Sequence, residues 1–182
     1  MQTETLKSFL TFRLGDELFA VNVGQVLEIL EISKITKVPR SPDFMRGVIN
    51  LRGSVLPVID TRLKFGIPQA EDTVNTCIIV MSVNLDGQQL TIGAVVDGVQ
   101  EVMEIDEREI MPPPSIGSKY KSEFIEGMVK RDECFIMILN VDLVFSSQEA
   151  SILQGIMPDF SGKEGTVAEQ LTKRNLPSNN TF

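Results

Sequence analysis

The chain of 182 residues contains no histidine, so the commonest general base and the usual partner of a nucleophilic serine or cysteine is missing. The residues that could still do chemistry are acidic: Glu101, Glu104, Asp106, Glu107 and Glu109 could hold a divalent ion or supply an acid/base pair. A solvated acidic loop is the stronger reading, because catalytic carboxylates must meet in a cleft and nothing in this run gathers them. Cys77 and Cys134 lie in the apolar runs CIIVMSV and CFIMIL, outside any C-x-x-C pair, and read as small buried hydrophobes. There is no G-x-x-x-x-G-K-[ST] loop and no G-x-G-x-x-G opening a helix, so a bound nucleotide is unsupported. No catalytic residue, metal ligand or cofactor is expected, and the chain reads as a binding module. One charged residue stands out: Arg52, in Asn50-Leu51-Arg52-Gly53, is either a solvated surface charge or a side chain on display at a turn.

The elements that would position Arg52 run from Phe44 to Phe65. Two short arms rich in β-branched residues, Val48-Ile49 and Val55-Leu56-Pro57-Val58-Ile59, flank the Asn/Gly break and predict a hairpin. The stretch recurs without gaps from Phe124 to Phe145, at a constant offset of 80 (Gly127 minus Gly47). Phe44, Gly47, Asp60, Leu63 and Phe65 fall on Phe124, Gly127, Asn140, Leu143 and Phe145. Upstream, at an offset of 73, Val26-Leu27-Glu28-Ile29 matches Val99-Gln100-Glu101-Val102. Internal similarity of this kind implies two related β-rich units packed together.

Apolar residues at 42% and charged residues at 23% suit an ordinary globular protein. A net charge of −8 argues against nucleic acid and against an anionic membrane surface as partners. No run reaches the length of a spanning helix and the first residues lack a basic-then-apolar leader, so a cytoplasmic protein without membrane insertion is expected. That setting disfavours a disulfide between the two cysteines.

Along the chain, residues 1 to 7 are expected to fray, and two alternating runs, with Leu10, Phe12 and Leu14 and then Phe19, Val21 and Val23, predict a first hairpin. A short helical turn and a strand follow from Gly24 to Ile32. Ser41 with Pro42 suggests a capped turn, and Asp60 to Phe65 one helical turn. Polar residues 67 to 75 mark the expected boundary between the two units, a seam near 66–76. Another hairpin spans Cys77 to Val96, and Pro112-Pro113-Pro114 predicts an extended loop over Ile110 to Tyr120. Ser147 to Ile156 is a candidate amphipathic helix with Ile152, Leu153 and Ile156 on its apolar side, and 158–182 has the composition of a disordered tail. Short strands at close spacing point to a mainly β fold of two small barrels.

Five segments together resemble the CheW-type chemotaxis coupling proteins: F-x-L-G-D-E-x-F-A-V (Phe12 to Val21), V-x-E-I (Val26 to Ile29), P-x-F-x-x-G-V-x-N-L-R-G (Pro42 to Gly53), V-x-P-V-I-D-x-R (Val55 to Arg62) and V-V-D-G-V (Val95 to Val99). The resemblance covers roughly residues 8 to 155 and implies one domain over 8–157 made of two SH3-like five-stranded barrels. It implies a non-enzymatic adaptor between methyl-accepting chemoreceptors, at their cytoplasmic tips, and the regulatory domain of the histidine kinase CheA. It further implies an Arg52–Glu28 ion pair beside a receptor groove lined by Val26, Ile29, Val99 and Val102, and Gly47 and Gly53 bracketing the hairpin on the kinase-facing side. Ser54 departs from the pattern, being small and polar where an apolar residue is usual, and the chain beyond Ser161 matches nothing in the family.

Overall fold

The computed structural model describes residues 5–113 and 122–156. Among the described residues, ten strands form two five-stranded sheets. The first contains β1 (Leu6–Leu14), β2 (Glu17–Asn22), β8 (Gly98–Asp106), β9 (Ile125–Arg131) and β10 (Cys134–Leu139), in the order β8-β1-β2-β10-β9. The second contains β3 (Val26–Glu31), β4 (Met45–Leu51), β5 (Ser54–Asp60), β6 (Cys77–Leu85) and β7 (Gln88–Val96), in the order β3-β6-β7-β5-β4. The fold is mainly β, two SH3-like barrels, with α1 (Thr61–Lys64) and α2 (Ser147–Ile156) as its α-helices among the described residues.

The two strand orders superimpose element by element, β8 on β3, β1 on β6, β2 on β7, β10 on β5 and β9 on β4. Even the one parallel pairing recurs, Val58↔Gly93 in one sheet and Ile138↔Ala20 in the other. The repeat is therefore real but cyclically offset: the second copy is closed by the hairpin at the start of the chain. This corrects the expected seam at 66–76. That loop joins β5 to β6 inside a single sheet, and the chain changes sheet instead at 22–26 and at Asp97.

Period-two alternation is satisfied on both faces of each sheet. Phe9, Ala20, Ile105, Val129, Ile136 and Ile138 fill the first barrel, and Ile49, Leu56, Val58, Ile78, Val80 and Val95 fill the second. The intervening residues of the same strands, among them Leu10, Phe12, Phe19, Val21, Ile79, Met81 and Met137, form a third and larger core between the sheets. The repeat's aromatic residues interlock across it, Phe44 against Phe145 (5.9 Å) and Phe65 against Phe124 (4.8 Å). Lys64 lies over Phe44 and Phe145 and pairs with Glu149 of α2 at 2.6 Å. Glu149 also closes a capping box with Ser146, each accepting from the other's backbone N–H, which starts α2.

Several local expectations change. Leu6 and Lys7 already belong to β1. Ser41 caps no helix; its hydroxyl donates to the Val38 carbonyl in an irregular connection. Ala150 and Leu153 are the buried residues of α2, whereas Ile152 is exposed, one step round the helix. Cys77 is half-buried and Cys134 exposed, both as free thiols, because Cys134 opens β10 at the hairpin end. Pro112 and Pro113 are irregular as expected; 114–121 and the tail 158–182 lie outside the described residues.

Asp97 makes the crossing from β7 to β8. It accepts from Arg62 Nε (2.8 Å), from Arg62 Nη2 and from the Gly15 N–H (2.6 Å). Burial acts most strongly on its carboxyl and opposes the charge, but the Arg62 hydrogen bond, the Gly15 N–H and the nearby cations together outweigh it, so Asp97 titrates below the ordinary aspartate range. A depressed carboxyl stabilises fully above its unfolded pKa and loses that contribution as pH falls through the folded value. The melting-temperature gap between the protein and Asp97→Asn is accordingly expected to be widest at neutral pH and to close below about pH 4. Calorimetry across pH 2 to 7 checks it; a gap independent of pH would remove the charge from the account.

Candidate functional site

The β4–β5 hairpin turns in two residues, with Leu51 opposite Ser54. Both central residues have positive φ, +50° at Arg52 and +87° at Gly53, the type I′ geometry that matches strand twist. Asn50 makes this affordable for an arginine, since its side-chain oxygen accepts from the Gly53 N–H at 2.8 Å. Arg52 thus projects from a fixed support.

Its partner arrives through a bulge. β3 pairs with β6, but the register slips between Val26 and Glu28, leaving Leu27 unpaired and re-aiming Glu28. Arg52 Nη1 donates to Glu28 Oε1 (2.9 Å) and Nη2 to Oε2 (2.6 Å), the parallel fork expected of a bidentate pair. The ion pair implied by the resemblance is formed. The hydrogen bonds from Arg52 pull the Glu28 carboxyl below its ordinary range, and Glu28 in turn raises the guanidinium. Arg52 nevertheless keeps 74% of its side chain exposed. Two of its five N–H donors are used, so the rest can meet a partner.

β3, which carries Glu28, and β8 are outer strands of their sheets and carry exposed apolar residues: Leu27 (56%), Ile29 (46%) and Val102 (58%). Val26 and Val99 are half-buried and rest on the shared core between the sheets. The Val99 N–H also reaches the Cys77 thiol of β6, tying β8 to the second sheet. β8 has its own bulge between the residues opposite Leu10 and Phe12, at the repeat position of the bulge in β3, with the Thr11 hydroxyl bonding the Glu101 backbone on both sides. The sequence reading gives Leu27 no place in the site and does not foresee the paired bulges. The Leu27–Gln100 alignment carried a signal for the bulges, but an extra residue in a strand leaves no mark on composition.

Gly53 sits in the turn with Arg52, with nothing within 4 Å of a hypothetical Cβ. Gly47 does something else: it faces the returning chain at Thr36, which bridges Val48. The acidic run is divided among separate partners. Asp106 binds Arg108 (2.6 Å), Glu107 binds Lys7 (2.5 Å) and Glu109 binds Arg131 (2.7 Å).

Two interlocked barrels, sealed on their inner faces and presenting an exposed bidentate pair beside apolar outer strands, define a class: an adaptor that works by binding other proteins. The CheW-like domain model matches residues 8–149, and the chain belongs to that family of chemotaxis coupling proteins. It is 36% identical over 143 residues to the chemotaxis protein CheW of Rhizobium meliloti (strain 1021), covering 79% of this chain and 90% of the relative. It is 31% identical over 150 residues to CheW of Klebsiella aerogenes, covering 82% and 88%. The crystal structure of the scaffolding protein TtCheW from Thermoanaerobacter tengcongensis superimposes with a TM-score of 0.70 at 34% identity, covering 81% of this chain and 93% of that one. The chain is a chemotaxis adaptor and not an enzyme.

Proposed function

We propose that this adaptor joins the cytoplasmic tips of methyl-accepting chemoreceptors to the regulatory domain of a CheA-type histidine kinase, in the cytoplasm beside membrane receptor arrays. The observation that carries the reading is the Arg52–Glu28 fork, pre-set on a rigid turn and flanked by the exposed Leu27 and Ile29. An amphipathic receptor helix lays its apolar stripe on Val26, Ile29, Val99 and Val102 and offers a polar group to the free donors of Arg52, a helix-in-groove mode. Gly53 keeps the turn tight and, with Gly47, brackets the hairpin on the kinase-facing side. Gly47 acts on the kinase-facing side by holding β4 against Thr36. Among the described residues no helix is long and apolar enough to cross a membrane.

Reconstituted kinase phosphorylation with receptor fragments tests the reading. Arg52→Ala should leave thermal unfolding nearly unchanged, since the pair is solvent-exposed, while abolishing receptor-dependent activation. An Arg52→Ala protein that unfolds would make the residue structural, and one that activates normally would remove it from the interface.

A further inference from the structure

Both places where the chain leaves one sheet for the other are held by the same position of the repeat. Arg62 of α1 grips Asp97, the single residue between β7 and β8, with Nε and Nη2, while its Nη1 donates to the Pro68 carbonyl at 2.8 Å. At the offset of 80, Asp142 occupies the matching position. Its Oδ1 accepts from Gln25 Nε2 (3.2 Å) and from the Asn84 N–H (2.8 Å), and Gln25 is the last residue before β3. Each clamping residue sits on a short helical turn whose first N–H groups are capped, by Asp60 in one copy and by Asn140 in the other. The side chain that reaches the crossing therefore starts from a fixed base.

The strands that leave these crossings are β8 and β3. Val99 follows Asp97 by two residues and Val26 follows Gln25 directly, too short a run to absorb a displaced crossing. Beyond them Val102 and Ile29 face solvent. The two clamps thus sit at the roots of both strands.

We propose that Arg62 and Asp142 are positioning residues for partner binding: they set the separation of β3 and β8 and thereby the width of the groove offered to an amphipathic helix. The proposal rests on β3 and β8 forming the receptor-binding groove. A helix with side chains has a diameter of about 10 Å, so groove width selects for or against it directly. Neither residue needs to touch the partner; each acts through its crossing.

Two measurements on the full chain decide it. In a Cys77→Ser, Cys134→Ser background, spin labels on Ile29→Cys and Val102→Cys report the distance between the strands by pulsed dipolar spectroscopy. Separately, the unlabelled protein is titrated with a receptor hairpin fragment and with the kinase regulatory domain. Arg62→Ala and Asp142→Ala should each broaden the distance distribution and weaken the receptor fragment about tenfold, leaving kinase-domain affinity in place. Asp142→Asn keeps the Oδ1 acceptor and should restore both readouts. The proposal is overturned by an unchanged distribution in the folded variants, or by both affinities falling together with the melting temperature. If the parent protein binds no receptor fragment, the receptor reading fails, and the spin-label distances still decide whether the clamps set the strand separation.

Discussion

Gly47→Ala is expected to lower the unfolding free energy by about 3 kcal/mol, read as a fall in the urea midpoint with the slope unchanged. A Cβ at this position would lie 2.1 Å from the Thr36 carbonyl oxygen and 2.9 Å from Ile35 Cγ2, at a φ of +146° that L side chains avoid. Thr36 cannot withdraw, because it exchanges two hydrogen bonds with Val48, at 2.9 and 2.8 Å. Strand β4 and the returning segment must separate, or β4 must twist. The repeat supplies an internal control. Gly127 faces Met111 in the same manner, with Met111 and Met128 exchanging bonds of 2.8 and 2.9 Å, but a Cβ there would stand 2.8 Å from the Met111 carbonyl oxygen and 2.5 Å from Ile110 Cγ2, a milder backbone clash than at Gly47, and its φ lies outside the left-handed region. Gly127→Ala should therefore cost less, about 2 kcal/mol. Gly53→Ala meets no atom and pays only for its left-handed backbone, about 1 kcal/mol. Equal losses at all three positions would show that close chain approach is not what the glycines of the strands provide.

Phe19→Ala should destabilise more, by about 4 kcal/mol, through lost burial and a cavity that the surrounding strands cannot close. Phe19 is fully buried in the core between the sheets, stacked on Phe12 of β1 (5.9 Å) and tilted against Phe65 beyond α1 (5.6 Å), which in turn stacks on Phe124. The substitution removes a bridge between both barrels at once. Phe135→Ala, a similar truncation on a half-exposed side chain of β10, should change stability by less than about 1 kcal/mol. Chemical denaturation of the pair measures the contrast, and comparable losses would mean that the shared core contributes no more than the surface.

Much of this architecture was legible in the residues. The ungapped match of Phe44, Gly47, Asp60, Leu63 and Phe65 with their partners 80 positions on survives in the structure as equivalent bridges, caps and aromatic contacts. Arg52 could be placed on a turn because Asn and Gly carry the turn chemistry themselves. The cyclic offset of the second copy was hidden. The opening hairpin shares with β6–β7 little beyond apolar alternation, and β2, with six residues, is shorter than the nine of β7, so little in the residues marks the kinship. The sequence pairs Gly47 with Gly53 only as the two ends of the hairpin, because close approach of a distant segment depends on where residue 36 returns. Arg62 stood in a recognised motif without a role, since its partner Asp97 is brought to it by the change of sheet.

The cyclic offset also has a bearing on synthesis. The second barrel is continuous in the chain, from Val26 to Val96, and can close as soon as that span has left the ribosome. The opening hairpin emerges earlier yet gains β8 only after Asp106 and β10 only after Leu139, so β1 and β2 wait with an apolar face uncovered. The finished second barrel offers the apolar face against which that hairpin packs in the completed core between the sheets.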